Sequence, residues 1–345
     1  MMYILLILFL LFSSCIEKEK EIVNMEGVKY TEVQLFPLEL PDKPLFPKGC
    51  FVLDSALVLY DGKEKRNFLY IYKNGQILSK YGQRGEGAND FMNPRFICKG
   101  LNKSSIQIGD ETGIYTLDLK TMIQGTIKQE LPVIDLPEEL RLYNYLIRLD
   151  EDNIVVNQTG EEQLSFFNRQ TKKIERKKYF ERISSFSNVS DFCYAMQIFD
   201  AYYTSGKEQI LIAYKNRKQI DLVSFEGEII KRIYFPDYDY NTSKMHIEKN
   251  NIKYDLNARL FFSFVYTEHD YFYALCQNET RNNIKSGKCR TQVYKLDWEG
   301  NIKEVFSFNK CISYFCINDS ILYAIGINED DLELDVFYAK LNKRK

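Results

Sequence analysis

The sequence predicts an all-β protein: a six-bladed β-propeller, its ring closed by an N-terminal strand that joins the last blade. Three observations lead there. The chain of 345 residues carries 25 Tyr and 24 Phe against one Trp, and such side chains favour pleated, half-buried surfaces. An apolar strand, a short polar turn and a second apolar strand recur along the chain, the mark of a stacked supersecondary unit. Further strands precede these hairpins, so each unit holds about four short strands in roughly 45 to 70 residues, the rhythm of a propeller blade.

The units follow in order. SALVLYD (55–61) leads into the hairpin LYIYKNGQILSKYG (69–82), whose Asn74-Gly75 step suits a tight turn. SSIQIGDE (104–111) precedes GIYTLDLKTMIQGTIK (113–128), read as a second hairpin. LSFFNRQTKKIERKKYF (164–180) forms the third, and QILIAYK (209–215) introduces the fourth, IDLVSFEGEIIKRIYF (220–235). DYFYALCQ (270–277) introduces the fifth, QVYKLDWEGNIKEVFSF (292–308). SILYAIGI (320–327) and DVFYAKL (335–341) begin a sixth unit that lacks its outer strand. KYTEVQLFPLEL (29–40) has the alternation to supply that strand, and ring closure removes exposed sheet edges. The stretches 137–149 and 190–203 have some helical character, but their aromatic and β-branched content makes them largely inner strands.

The stretch YGQRGEGANDFMNPR (81–95) invites a phosphate-binding reading. A dinucleotide loop needs G-x-G-x-x-G between strand and helix, whereas Gly82, Gly85 and Gly87 run G-x-x-G-x-G and lead to Asn93-Pro94. A P-loop would need a terminal G-K-[ST], which is absent. Glycines here instead permit the positive φ of a chain reversal, and Pro94 fixes φ at a strand entry. The run GQRGEGANDFMNPRFI, then IQIGD, then GIYTLDL resembles the repeat of NHL-type propellers, and is similar to six-bladed lipoproteins of the TolB-like and NHL-like group. The matching residues are Gly82, Gly85, Gly87, Phe91, Pro94 and Asp110; Ala88-Asn89-Asp90 departs from the usual Pro-Gly-Glu. The resemblance implies a joint between the first and second blades, with Phe91 as an anchor packed between them. Arg84, Glu86, Arg95 and, in a turn of the fifth unit, His269 are the candidate rim contacts.

The N-terminus MMYILLILFLLFSSC has an apolar run about ten residues long, too short to span a bilayer but suited to a signal peptide. It resembles a bacterial lipoprotein signal over 1–15, with Cys15 as the lipidated residue, although Phe12 stands where leucine is usual and the n-region lacks Lys or Arg. This implies a membrane attachment at the outer membrane, on its periplasmic face or at the cell surface. Residues 16–28 then form a charged tether, and 29–345 form the propeller.

Of the seven other cysteines, Cys276 and Cys289, and Cys311 and Cys316, are the closest in sequence, while Cys50, Cys98 and Cys193 read as buried free thiols. A formal net charge of −2 argues against a nucleic-acid groove. Only two histidines exist, His246 and His269, so a serine triad or histidine metal site has little material. Carboxylates such as Asp54, Asp61, Asp110, Glu111, Asp191, Asp200, Glu268 and Asp270 fall near strand ends, and propeller relatives imply that Ca²⁺ is the one cofactor to consider. No EF-hand pattern supports it. The sequence therefore favours a monomeric binding or scaffold module for a glycan, peptide or partner protein, with no catalytic residue assigned. The alternative is a hydrolase or lyase using channel carboxylates and Ca²⁺.

Overall fold

The structure is a computed structural model. It describes residues 20–341, except 95, 101–103, 112, 142, 159–161, 181–185, 187–188, 191–200 and 250. Six antiparallel sheets follow one another around a ring. Blade one comprises Pro47–Leu53, Ala56–Asp61, Arg66–Lys73 and Gln76–Gln83; blade two, Phe96–Lys99, Ser105–Asp110, Gly113–Asp118 and Val133–Ile134. Blade three comprises Tyr143–Arg148, Asn153–Gln158, Leu164–Asn168 and Ile174–Lys177; blade four, Ala201–Gly206, Gln209–Tyr214, Gln219–Ser224 and Ile229–Tyr234. Blade five comprises Arg259–Thr267, Tyr271–Thr280, Gln292–Asp297 and Ile302–Phe308; blade six, Ile312–Asn318, Ile321–Ile327 and Leu334–Lys340. The first strand of each blade is the innermost.

Strand alternation explains the packing, because successive side chains leave opposite faces of a sheet. In blade four, Ile210 and Ile212 pack towards blade three, while Leu211 and Ala213 pack towards blade five. In blade five, Phe272, Ala274 and Cys276 face blade four, while Tyr273 and Leu275 face blade six. Buried residues thus gather between neighbouring blades, and Cys50, Leu57 and Leu59 of blade one meet Cys316, Ile325 and Val336 of blade six to complete the ring.

The closing segment divides its work. Phe36–Pro37 pairs antiparallel with blade six, Phe36 opposite Tyr338 and Pro37 opposite Phe337. Lys29–Val33, expected in the same outer strand, instead adds a parallel fifth strand to blade five and brings Lys29 into an ion pair with Glu304. The Asn309 side chain accepts a 2.9 Å hydrogen bond from the Leu35 N–H between the two, and Val33 and Leu35 fill the seam between blades five and six. One segment therefore ties two blades together.

Two other expectations change. Only the first half of 113–128 is strand. Asp118 accepts a 2.6 Å hydrogen bond from the Thr121 N–H and so caps a helix over Leu119–Gln124, which Gly125 ends at φ 68°. The outer strand of blade two is displaced to Val133–Ile134. Residues 20–28 run against blade four rather than forming a free tether: Ile22 bridges Tyr234, and the Val23 N–H donates to the Tyr234 carbonyl at 2.8 Å. A small hairpin, Met245–Glu248 with Asn251–Tyr254, carries His246.

The cysteines pair across the fold rather than with their nearest sequence neighbour. Cys289 and Cys311 form a disulfide, while Cys50, Cys276 and Cys316 are buried thiols. Cys276 faces the seam with blade four and is packed away from Cys289. Cys193 lies outside the described residues.

Closure has a direct test. A chain beginning at Leu38 is expected to lose amide-exchange protection along Leu334–Lys340 and Ile302–Phe308, with a lowered melting temperature. Unchanged protection in both strands would refute the two-blade closure.

Candidate functional site

The glycine stretch joins the first two blades. Gly82 has φ 83°, and a Cβ there would lie 2.6 Å from the Phe68 ring, so both backbone and space require glycine. The chain then doubles back: Arg84 and Phe91 form a parallel bridge, the Phe91 N–H donates to the Gln83 carbonyl at 2.7 Å, and Asp90 closes the turn on Gly87. This drives Phe91 into the seam, where its ring meets Phe68 and Tyr115 edge-on at 5.5 Å each. Lys128 lies over the Phe91 and Tyr115 rings, donates to the Asp90 carbonyl at 2.8 Å and pairs with Asp110 at 2.5 Å, both charged side chains being buried. Asp110 also accepts the Asn93 N–H at 2.9 Å. Burial by itself would raise the pKa of Asp110, but the Asn93 N–H and the Lys128 ammonium outweigh it and hold the carboxyl below its usual range.

The inner strands surround a central cavity of about 450 Å³, lined among the described residues by blades one, three, four, five and six and by Asn93 and Pro94 of the joint before blade two. Its walls are aromatic: Phe51 and Tyr60 from blade one, Tyr145 from blade three, Tyr202 from blade four, Phe264 and Tyr266 from blade five, and Tyr314 from blade six. Bulges aim several of them. Register shifts fall between Tyr143 and Tyr145, Phe262 and Phe264, and Ile312 and Tyr314, so the residue after each extra position turns towards the axis. Tyr314 packs edge-on against Phe264 at 5.3 Å. Burial, with the hydroxyls of Tyr202 and Tyr60 nearby, pushes the Tyr314 pKa up to about 12, so it remains a neutral hydrogen-bond donor at ordinary pH.

Among the described residues, two cations reach this cavity, Lys48 and Arg84. Arg84 donates to the Gly62 carbonyl at 2.8 Å, the Asp61 carbonyl at 2.9 Å and the Tyr60 hydroxyl at 2.7 Å. Tyr60 in turn donates to the Pro94 carbonyl at 3.2 Å. The Asp61 carboxylate is buried and occupied elsewhere, accepting the N–H groups of Phe46, Lys63 and Glu64. Among the described residues that line the cavity there is no Asp, Glu or His.

The residues singled out in the sequence therefore separate. Arg84 and Pro94 line the cavity, while Phe91 and Gly82 belong to the seam and Asp110 to the ion pair beside it. Gly85, Gly87 and Glu86 are turn residues outside the lining, Glu86 exposed. His269 is a solvent-facing residue of the 268–270 turn, bonded to Asp270 at 3.0 Å. Arg95 lies outside the described residues. The carboxylates near strand ends are dispersed: Asp54 bonds Ser104, Glu268 accepts the Tyr273 hydroxyl, Asp270 pairs with Lys207, and Asp191 and Asp200 are not described. Sequence reasoning missed Lys48, Tyr145, Tyr202 and Tyr314, whose only signal was an aromatic or basic residue on an inner strand. The stretch FFSFVY (261–266) divides: Phe261 and Phe262 fill a seam, whereas Phe264 and Tyr266 face the cavity.

Another buried carboxylate, at position 221, was unmarked in the sequence. Asp221 accepts the Tyr214 hydroxyl at 2.8 Å and the Gln219 amide at 2.7 Å. Burial pushes its pKa up to about 6, and it lies in the packing of blade four, outside the central cavity.

A family profile described as a TolB-like, 6-blade propeller-like domain matches residues 46–320. No curated protein matches the sequence. Among solved structures, the chain is similar to a member of the duf4221 family from Bacteroides vulgatus, with 12% identity, a TM-score of 0.57, and coverage of 91% of this chain and 99% of the other. It is also similar to a protein of Bacteroides fragilis described as exported, at 12% identity and a TM-score of 0.52, over 91% of this chain and all of that one. A third similarity, at 10% identity and a TM-score of 0.50, is to the extracellular domain of a hybrid two-component system from B. thetaiotaomicron, over 91% of this chain and 42% of that one.

The buried pair yields a stability prediction. Lys128→Met strands the Asp110 charge and is expected to cost about 3 kcal/mol in urea unfolding at pH 7. Because folding lowers the Asp110 pKa, its stabilising contribution is present at neutral pH and fades as the pH falls below about 4. A loss under ~1 kcal/mol, or one unchanged between pH 7 and pH 3, would contradict this account.

Proposed function

The chain belongs to the TolB-like family of six-blade propellers, and from that premise we propose that it is a lipid-anchored extracytoplasmic binding module whose ligand site is the central cavity. The observation that carries this reading is the lining: side chains from five blades and from the joint before blade two converge on one small-molecule-sized, largely aromatic space with a few polar groups, the usual make-up of a ligand site. The ligand is a glycan, a peptide or a segment of a partner protein, each able to stack on tyrosine and bond its hydroxyl.

The alternative, a Ca²⁺-dependent hydrolase or lyase, needs oxygen-rich carboxylate ligands converging from different blades. The cavity's described lining offers only Asn93, the Thr204 and Thr267 hydroxyls and tyrosines, and no group of three or more His, Cys, Asp or Glu suited to a metal occurs among the described residues. Asp110 and Asp61, the nearest carboxylates in the joint, have their oxygens committed to Lys128 and to backbone N–H groups. The binding reading is the better fit to this chemistry.

Placement outside the cytoplasm draws support from the signal-like N-terminus and from the similar proteins named as exported or extracellular. Among the described residues no helix is long and apolar enough to cross a membrane; the attachment we propose, at Cys15, rests on the lipoprotein-like signal of residues 1–15.

Two outcomes test these claims. Cys15→Ala is expected to shift the protein from the membrane to the soluble fraction and to abolish labelling by a palmitate analogue; unchanged labelling would defeat the anchor. Tyr314→Ala is expected to weaken binding of whichever ligand a glycan and peptide panel identifies by about tenfold or more, with the fold retained by circular dichroism. Undiminished affinity would place the site elsewhere.

A further inference from the structure

The charge balance of the cavity narrows the ligand. Lys48 is exposed at the start of the blade-one inner strand and makes no hydrogen bond or ion pair among the described residues. Arg84 has no carboxylate partner there either; its bonds go to two backbone carbonyls and a tyrosine hydroxyl. Two positive charges thus face a concave aromatic space whose described lining supplies no negative one. A cleft with low-dielectric walls focuses such a field and attracts anions.

We infer that the cavity takes the carboxylated ring of an acidic sugar, such as the terminal uronate of a glycan, with its carboxylate at Lys48; this rests on the reading of the cavity as the ligand site. The anion is a monoanion rather than a phosphate. Arg84 has spent both terminal nitrogens on oxygens of its own chain, so no free fork remains for the bidentate recognition that phosphate favours. Lys48 supplies one compact ammonium. The ring is a sugar because the walls are mostly tyrosine, which offers a face for the C–H side of a pyranose and a hydroxyl for its edge. Tyr314 has that hydroxyl available: among the described residues it makes no hydrogen bond, and its high pKa keeps it a donor. The concave space, walled by the inner strands of five blades, suits a compact terminal residue over an extended chain.

Calorimetric titration of the mature protein with galacturonate and its short oligomers tests this. Galactose and its oligomers, galactose 1-phosphate and a Tyr-ended dipeptide serve as comparisons. The uronates are expected to bind at least tenfold more tightly than the neutral sugars, to weaken as salt is raised, and to lose that advantage in Lys48→Gln, which keeps the wild-type melting temperature. Equal affinity for acidic and neutral sugars would overturn the charge argument while leaving the cavity as a sugar site. Tighter binding of the phosphate or the dipeptide would overturn the carboxylate or the sugar, respectively. If no probe binds at millimolar concentration the inference falls, and the Tyr314→Ala comparison on a broad panel still decides the cavity itself.

Discussion

A sheet set radially in a ring has a neighbour on both faces, and this requirement governs the molecule. The middle strands must bury both sets of their alternating side chains, so apolar residues appear there at consecutive positions where a sheet with one solvent face would alternate. The Ala56–Asp61 strand does so, with Ala56 and Val58 turned to blade two and Leu57 and Leu59 to blade six. No blade can satisfy this alone. The seam between blades six and one forms only when the chain's two ends are held together, which makes the segment from Lys29 to Leu38 a structural necessity.

The same constraint decides which polar groups are tolerated inside. A charge in a seam needs a partner, and Lys128 meets Asp110 there while also resting on two aromatic faces. Asp221 has neutral hydrogen-bond donors within 3 Å and Arg232 only at 3.8 Å, and its carboxyl is correspondingly raised. The sign follows: folding favours its protonated form, so this group lowers stability as the pH rises from about 4 to about 6, opposite to Asp110. The two carboxylates differ because one sits beside an ammonium and the other does not.

The blade repeat was legible because period-two patterning and glycine turns are local. Asn74-Gly75 marked its hairpin, and the stretch from Gly82 to Phe91 marked the first joint, for reasons a single segment carries. What was not legible depended on partners distant in sequence. Nothing local in Lys29–Val33 distinguishes a strand added to blade five from one added to blade six. The hairpin expected over 113–128 passed over Asp118, a residue type that caps helix N-termini, and its side chain accepts the Thr121 N–H. Cys289 joins Cys311 because the end of blade five returns beside the start of blade six, which sequence spacing does not report. The cavity was the least visible part, since bulges place Tyr145, Phe264 and Tyr314 and a bulge has no simple residue code.

The N-terminal segment has one more consequence. Val23 is hydrogen-bonded to the outer strand of blade four, and it lies eight Cα–Cα steps from Cys15. Chain geometry limits that span to roughly 28 Å. A lipid on Cys15 would therefore work as a short leash attached at the rim of the ring, away from its axis. The point of attachment and the mouth of the hub would then be separate places on the molecule, so tethering the protein would leave access to the cavity untouched.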